Sequence, residues 1–211
     1  MIKGVIFDLD GVLLSTDDMH YEAWKSIAEE QGIRFDRVIN NRLRGVSRMA
    51  SLEIILEKAD RVYSSEEKEA LAEKKNNRYR ELLKKLTPET ITPEVRRTLI
   101  DLKEKGIKLA IGSSSKNTKL ILKLTDLEQY FDAVSDGTNI THSKPDPEVF
   151  LMAADFLGLP AEECAVVEDA AAGIEAAAAG GFMSIGIGDA AGYFKTEHPI
   201  RSLSEIPGLI T

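Results

Sequence analysis

The chain contains five short apolar segments, most of them rich in β-branched residues, that are spaced along its length. They span residues 2–7, 107–111, 133–135, 164–167 and 183–187. Apolar runs of this length, bounded by polar residues, are typical of strands buried on both faces of a parallel sheet. The sequence therefore predicts a five-stranded parallel sheet.

Helical patterns separate the later strands and complete this architecture. They span residues 93–105, 117–124, 147–157 and 170–179, with Pro93 opening the first and Gly158 following the third. Proline at a helix start and glycine just beyond a helix end are ordinary boundary signals. Strands that alternate with helices predict an α/β fold, a doubly wound, Rossmann-like parallel sheet.

One long stretch interrupts the alternation, because it carries helical patterns only. These patterns cover residues 17–31, 36–44, 48–59 and 66–86, and Ser64 with Glu67 matches a capping box before the last of them. The sequence thus predicts an inserted all-helical cap domain at residues 15–86. The core domain would then consist of residues 1–14 and 87–211.

Charge and composition exclude several classes of function. The 211 residues carry 27 basic and 35 acidic side chains, a net charge of −8, and 43% are hydrophobic. A general nucleic-acid binder needs an excess of basic residues, so no nucleic-acid partner is expected. No apolar run approaches the ~20 residues of a membrane span, so no membrane partner is expected. The start resembles no signal peptide and Cys164 is the single cysteine, which predicts a cytoplasmic location.

The segment Asp8-Leu9-Asp10-Gly11 follows the first predicted strand. In open α/β sheets, ligands bind outside the carboxyl ends of the strands, and alternation directs both acids toward that crevice. Two neighbouring carboxylates repel each other unless a cation or a shared proton separates them. Mg²⁺, which prefers oxygen ligands, would meet that need. The alternative is an acidic pair that caps a helix or lies in a solvated loop.

A second acidic pair, Glu168-Asp169, ends the fourth predicted strand in the same way. It could complete an oxygen-rich site for the same ion. Asp169 could instead cap the helix that follows, since aspartate is a favoured residue at that position.

Two further strand ends carry groups suited to an anion. Residues 113–117 (Ser-Ser-Ser-Lys-Asn) join the second strand to a helix, where hydroxyls, backbone N–H groups and the helix dipole favour phosphate. Lys144, held before Pro145, follows the third strand. Many polar turns bind nothing and most lysines are solvated, so neither feature alone indicates a site.

In this order, DxDG, serine, Lys-Pro and an acidic pair resemble the haloacid dehalogenase superfamily of phosphotransferases. The resemblance implies that Asp8 is the nucleophile that forms an aspartyl phosphate, and that Asp10 is the general acid and base. It implies that Ser113 and Lys144 grip the transferring phosphate. It also implies a Mg²⁺ cofactor with these ligands: Asp8, the backbone carbonyl of Asp10, Asp169 and, in support, Glu168.

Residues in the predicted cap also suggest ligand contacts. Thr16, His20 and Trp24 are four residues apart, on one face of the first cap helix. Gly45 would let the backbone approach a ligand, and Arg48 could clamp a phosphate with two hydrogen bonds. A lone helical histidine is more often a surface or core residue, and an arginine at a helix start is usually solvated. The same holds for the lysine pair at 74–75.

These cap segments and the serine turn are similar to those of the β-phosphoglucomutases, a family within this superfamily. The shared segments are TxxxHxxxW, GVSRxxS, KKN and SKN. The resemblance implies a catalytic His20 that positions Asp10 and the incoming hydroxyl, and a catalytic Thr16 near the hinge. The implied substrate-binding residues are Trp24, Gly45, Val46, Ser47, Arg48, Ser51, Lys75, Ser114, Ser115, Lys116 and Asn117. Ser15 departs from the family, where aspartate is expected.

The implied reaction interconverts β-glucose 1-phosphate and glucose 6-phosphate, with β-glucose 1,6-bisphosphate as phosphoryl donor and activator. We expect a monomer whose partner is a small-molecule sugar phosphate. A Mg²⁺-dependent sugar-phosphate phosphatase is the main alternative. A non-catalytic sugar-phosphate-binding module is the second, and the presence of Asp8, Asp10, Lys144 and Asp169 disfavours it, since a pure binder needs no nucleophile beside an acid.

Overall fold

A computed structural model describes residues 1–43 and 47–210. The chain forms two compact units, one of Met1–Ser15 with Leu86–Thr211 and the other of Thr16–Lys85. These boundaries lie within one residue of the expected 1–14, 15–86 and 87–211.

The first unit, which we call the core unit, is built on a parallel sheet. Its strands lie in the order β3-β2-β1-β4-β5-β6, so β1 is flanked by β2 and β4. The strands are β1 Gly4–Phe7, β2 Lys108–Gly112, β3 Ala133–Ser135, β4 Cys164–Glu168, β5 Met183–Gly186 and β6 His198–Pro199. The doubly wound fold is confirmed. The count of five strands is wrong, because β6 has two residues and no apolar run to reveal it.

The second unit, which we call the helical unit, contains α1 Asp17–Glu30, α2 Arg37–Asn41, α3 Arg48–Leu56 and α4 Ser65–Leu83. Its apolar core includes Trp24, Leu52 and Ile55. The predicted capping box is present, since Ser64 accepts from the Glu67 N–H and the Glu67 carboxylate accepts from the Ser64 N–H. These helices end one to three residues earlier than predicted.

The helices of the core unit alternate with its strands along the chain, except α9, which follows β6. They are α5 Pro93–Glu104, α6 Thr118–Leu124, α7 Glu148–Leu157, α8 Ala171–Gly180 and α9 Ile206–Leu209. Gly158 ends α7 in the left-handed conformation, as its position in the sequence predicts. The core on one face of the sheet joins Ile6 and Val166 to Phe150 of α7. Among the described residues, no helix combines the length and apolar character needed to cross a bilayer.

Candidate active site

The carboxyl ends of β1 and β4 bring the two acidic pairs together. The strands are paired in parallel, and the Asp8 N–H donates to the Val167 carbonyl at 2.9 Å. The chain then turns at Gly11, whose φ of +94° lies in the region that glycine tolerates best. A β-carbon at Gly11 would lie 2.1 Å from Asp169 Oδ2, so only glycine lets this turn lie against the second acidic pair.

Lys144 links the two pairs. Its ammonium donates to Asp8 Oδ1 and to Glu168 Oε1, each at 2.5 Å, and only 6% of its side chain is exposed. The Phe150 ring lies 4.6 Å from the Lys144 nitrogen. The predicted cation therefore lies beside Asp8, although 136 residues separate them in sequence.

The Glu168 carboxylate is fixed by hydrogen bonds to both of its oxygens. Its Oε2 accepts from the N–H groups of Asp169 at 2.9 Å and Ala170 at 3.0 Å. Ala170 occupies the N-cap of α8 and no side chain caps it. The alternative of Asp169 as a helix cap is therefore wrong. A β-carbon at Gly173 would lie 1.9 Å from the Glu168 side chain, so the absence of one in α8 makes room for this carboxylate.

The donor set fits a hard divalent cation. Asp8, Glu168 and Asp169 each offer an oxygen, and the three oxygens lie within 4.8 Å of one another. These three carboxylates share a single ammonium that contacts two of them, which leaves negative charge that a bound Mg²⁺ would neutralise. Asp10 is half-buried at the same strand end, and its carbonyl stays a predicted ligand.

Burial and charge shift the pKa values of this group. Burial, together with the carboxylates of Glu168 and Asp169, raises the pKa of Asp8 to about 8 despite the opposing effect of Lys144. The two carboxylates beside Lys144 raise the pKa of its ammonium against the effect of burial. The site thus keeps a charged lysine and takes up a proton on Asp8 when only the chain's own charges are present.

The serine turn follows β2 and is folded by its own hydroxyls. Ser113 Oγ accepts from the Ser115 N–H at 3.3 Å, and Ser115 Oγ accepts from the Asn117 N–H at 3.2 Å. These two N–H groups, expected to face a phosphate, are thus engaged within the turn. Lys116 is exposed and Asn117 buried. Among the described residues, the buried Ser114 hydroxyl has no hydrogen-bond partner.

In the helical unit, α1 and α4 bring a basic group together. The Lys75 ammonium lies 2.7 Å from His20 Nδ1, and Lys75 is 3% exposed. Burial first, and then the charges of Lys75 and Arg48, hold the pKa of His20 well below its usual range. His20 is therefore neutral at pH 7. Because an ammonium can only donate, Nδ1 accepts and the imidazole proton lies on Nε2.

The remaining cap residues divide into four sets. Trp24 is 3% exposed within the helical core and its ring lies 4.9 Å from the Lys75 nitrogen, and its substrate contact stays a prediction. Ser47 caps α3 by accepting from the Ala50 N–H, so its hydroxyl is structural. Arg48 is half-buried and Ser51 buried, both in the first turns of α3. Gly45 and Val46 lie outside the described residues.

Sequence reasoning missed Tyr79, whose ring stacks on His20 at 4.0 Å and whose hydroxyl lies 2.8 Å from Thr16 Oγ1. A signal was present, because Tyr79 is four residues after Lys75 and so shares its helix face. It also missed Gly173, which no local pattern marks, because the need for glycine arises from Glu168 on another element.

Comparisons with known proteins agree with this geometry. Residues 2–181 match the haloacid dehalogenase-like hydrolase family. The chain is 42% identical to a β-phosphoglucomutase of Bacillus subtilis, over 97% of this chain and 92% of that protein. It is 35% identical to a phosphorylated carbohydrates phosphatase of Thermotoga maritima, over 87% of this chain and 84% of that protein.

A crystal structure of β-phosphoglucomutase from Clostridium difficile superposes with a TM-score of 0.91 at 38% identity, covering 98% of this chain and 93% of that chain. These similarities confirm the resemblance that the motifs predict.

Proposed function

Because this chain belongs to the haloacid dehalogenase-like hydrolase family and is a phosphotransferase, we propose that it interconverts β-glucose 1-phosphate and glucose 6-phosphate. β-Glucose 1,6-bisphosphate would serve as phosphoryl donor and intermediate, and the enzyme would act as a monomer on small-molecule sugar phosphates. The similarity to two β-phosphoglucomutases supports this assignment.

The transfer step is assigned to the acidic site. An oxygen of the Asp8 carboxylate forms a bond to phosphorus while the bond between phosphorus and the sugar oxygen breaks, and Asp10 gives its proton to that oxygen. In the first half the donor is the C1 phosphate of β-glucose 1,6-bisphosphate, and glucose 6-phosphate is released. In the second half, the 6-hydroxyl of a β-glucose 1-phosphate molecule gives its proton to Asp10 and attacks phosphorus, the bond to Asp8 breaks, and the bisphosphate forms again. The two halves together move the phosphoryl group without net hydrolysis.

The neighbours of Asp8 make this chemistry possible. Lys144, in contact with Asp8, would supply positive charge for the phosphoryl oxygens, and we assign Ser113 to donate its hydroxyl to them. A Mg²⁺ ion held by Asp8, Glu168 and Asp169 would supply the further positive charge that phosphoryl transfer requires.

The observation that carries the mutase assignment is the basic group of the helical unit. Lys75 and Arg48 both act electrostatically on the neutral His20. A mutase whose intermediate bears two phosphates needs a second anion site away from the nucleophile, and this group has the required charge. We assign Arg48, with Ser115, Lys116 and Asn117, to the phosphate that is not reacting. We assign Gly45, Val46, Ser51 and Lys75 to the sugar.

A phosphatase that acts on phosphorylated sugars is the second candidate, and the 35% identity to the Thermotoga maritima phosphatase favours it. The two functions share the first half-reaction. They differ in the acceptor, which is a sugar hydroxyl in the mutase and water in the phosphatase.

The test follows β-glucose 1-phosphate by ³¹P NMR in the presence of Mg²⁺ and a trace of β-glucose 1,6-bisphosphate. We expect glucose 6-phosphate to accumulate, with inorganic phosphate a minor product. A reaction whose main product is inorganic phosphate, with or without the bisphosphate, would replace the mutase by the phosphatase.

A further inference from the structure

We propose that Tyr79 is a positioning residue for the transfer reaction, whose hydroxyl fixes Thr16 and whose ring fixes the imidazole of His20. The proposal rests on the proposed function, because it assigns Tyr79 to the residues that orient the sugar and the acid. It adds a residue outside the motifs that identify the family.

Contacts between α1 and α4 place Tyr79 at the centre of this group. Thr16 and His20 are one helical turn apart on one element, and Tyr79 and Lys75 are one turn apart on the other. Thr16 meets Tyr79, and His20 meets Lys75, which is the register of antiparallel helices. The Tyr79 ring also stacks on His20, with centroids 4.0 Å apart and planes inclined by 27°. Tyr79 therefore contacts both residues.

The Thr16 hydroxyl contacts Tyr79 in place of the N-cap hydrogen bond that it could make in α1. Thr16 occupies the N-cap of α1, yet its side chain makes no cap hydrogen bond. At the N-caps of three other α-helices a hydroxyl side chain does make that bond: Ser47, Ser64 and Thr92. Since capping stabilises a helix, a threonine whose hydroxyl lies against Tyr79 instead gives up that stabilisation for a fixed orientation.

The ring of Tyr79 has a separate effect on His20. Tyr79 is 1% exposed, so its ring is held by packing and offers His20 a fixed surface. The Lys75 nitrogen lies 4.7 Å from the centroid of the same ring, so one aromatic ring contacts both partners of the Lys75–His20 hydrogen bond. Stacking restricts rotation of the imidazole, and this keeps Nδ1 toward Lys75 and the proton on Nε2.

The two effects can be separated by two substitutions. Tyr79→Phe keeps the ring and removes the contact with Thr16, whereas Tyr79→Leu removes both. We expect kcat to fall about tenfold in Tyr79→Phe and about 100-fold in Tyr79→Leu, with KM changed less than threefold, since small misplacements of catalytic groups lower the rate of the chemical step. Tyr63, another buried tyrosine of the helical unit whose hydroxyl bonds Gln31, provides the matched control Tyr63→Leu.

The readout that a purely structural role would not move is the ¹⁵N NMR spectrum of His20 in the substrate-free protein. Wild type, Tyr79→Phe and Tyr63→Leu should keep a neutral imidazole protonated on Nε2 at pH 6.5. Tyr79→Leu should show mixed tautomers and a pKa nearer 6.5. Unchanged His20 signals in Tyr79→Leu, or a kcat within twofold of wild type, would overturn the role of the ring.

A double-mutant cycle tests the hydroxyl and does not depend on Tyr79→Leu being stable. Tyr79→Phe should have little further effect in a Thr16→Val background, because both changes remove the same contact. Additive losses, or no loss in Tyr79→Phe alone, would reject this part of the proposal. If the enzyme proved to be a phosphatase while the NMR changes appeared as expected, the positioning role would stand and the mutase assignment would fail.

Discussion

The functional residues of the two units have opposite charge environments. In the core unit, the carboxylates of Asp8, Glu168 and Asp169 lie together, and the buried cation Lys144 contacts the first two. In the helical unit, the cations Lys75 and Arg48 act on a neutral His20. The first group is rich in carboxylates and the second in cations. We therefore expect a metal ion to bind the first group and a phosphate the second.

The comparison also shows that burial acts differently on each group. Burial raises the pKa of Asp8, whose proton is then available for displacement by a cation. Burial lowers the pKa of His20, which stays neutral beside two cations. In both cases the solvent-excluded environment favours the uncharged form. The charges of the neighbouring side chains then determine whether a cation or an anion is expected to bind at each group.

The largest effect is expected from removing the nucleophile. Asp8→Asn should lower kcat by about 10⁴-fold or more, because no carboxylate then remains to accept the phosphoryl group. Steady-state turnover of β-glucose 1-phosphate measures this. Asp155→Asn, at an exposed position on α7, should leave turnover unchanged. Full turnover in Asp8→Asn would remove the acidic site from the mechanism, whereas no turnover in the wild type either would favour the non-catalytic binding module.

Removal of the metal should have the next largest effect. Chelation with EDTA should lower kcat about 10³-fold, and added Mg²⁺ should restore it, since the ion supplies several kcal/mol of charge stabilisation.

Mg²⁺ binding should also release a proton from Asp8. With a pKa of about 8 in the folded protein and 3.8 as its ordinary value, Asp8 holds a proton at pH 7 that the ion displaces. In the metal-free protein this raised pKa makes Asp8 lower the free energy of unfolding as pH rises from 4 to 8. Calorimetry in buffers of different ionisation enthalpy should detect close to one proton released at pH 7 and little at pH 9. Equal release at both values would contradict the raised pKa.

More of the site in the core unit than of the basic group in the helical unit could be predicted from the sequence. Asp8 and Glu168 end apolar strands, and a parallel sheet must bring adjacent strand ends together. Nothing comparable distinguishes Lys75 from Lys74, since both lie in a charged helix and only packing decides which is buried. The role of Tyr79 likewise depends on the register of α1 against α4, which no local pattern specifies.

These adjacent lysines offer a matched pair of substitutions. Lys75→Met should lower kcat/KM about 100-fold, because it removes a charged hydrogen bond to His20, and it should raise the pKa of His20 by removing one nearby positive charge. Lys74→Met should change kcat/KM less than twofold, since Lys74 is exposed and paired with Glu30 at the surface. Kinetics and NMR titration of both variants measure the difference. Equal losses of kcat/KM in the two variants would show that Lys75 has no specific role in the helical unit.

A smaller effect should follow from Gly173→Ala. The new methyl group would collide with the buried Glu168 side chain and shift its carboxylate, so Mg²⁺ affinity should fall about tenfold. Gly192→Ala is the control, because a β-carbon there has no atom of the described chain within 4 Å. Isothermal titration with Mg²⁺ compares them. An unchanged affinity in Gly173→Ala would mean that Glu168 supports the metal only weakly.

The smallest effect on Mg²⁺ affinity is expected at a second group of potential metal ligands. This group tests whether excess negative charge, rather than the type of ligand, determines where Mg²⁺ binds. His142, Asp146 and Glu148 also bring ligand atoms within 4.8 Å, but His142 and Asp146 are exposed. The Glu148 carboxylate already accepts the N–H groups of Thr141 and His142, and Asp146 accepts the Glu148 N–H.

These acids lie at the start of α7, where the helix dipole disfavours a cation. Asp146→Asn should therefore change Mg²⁺ affinity less than twofold and cost about 0.5 kcal/mol of stability, measured by titration and urea unfolding. A tenfold loss of affinity would show that solvated carboxylates in this loop bind the ion as well as buried ones. Burial and excess charge would then not explain why Mg²⁺ binds at Asp8, Glu168 and Asp169.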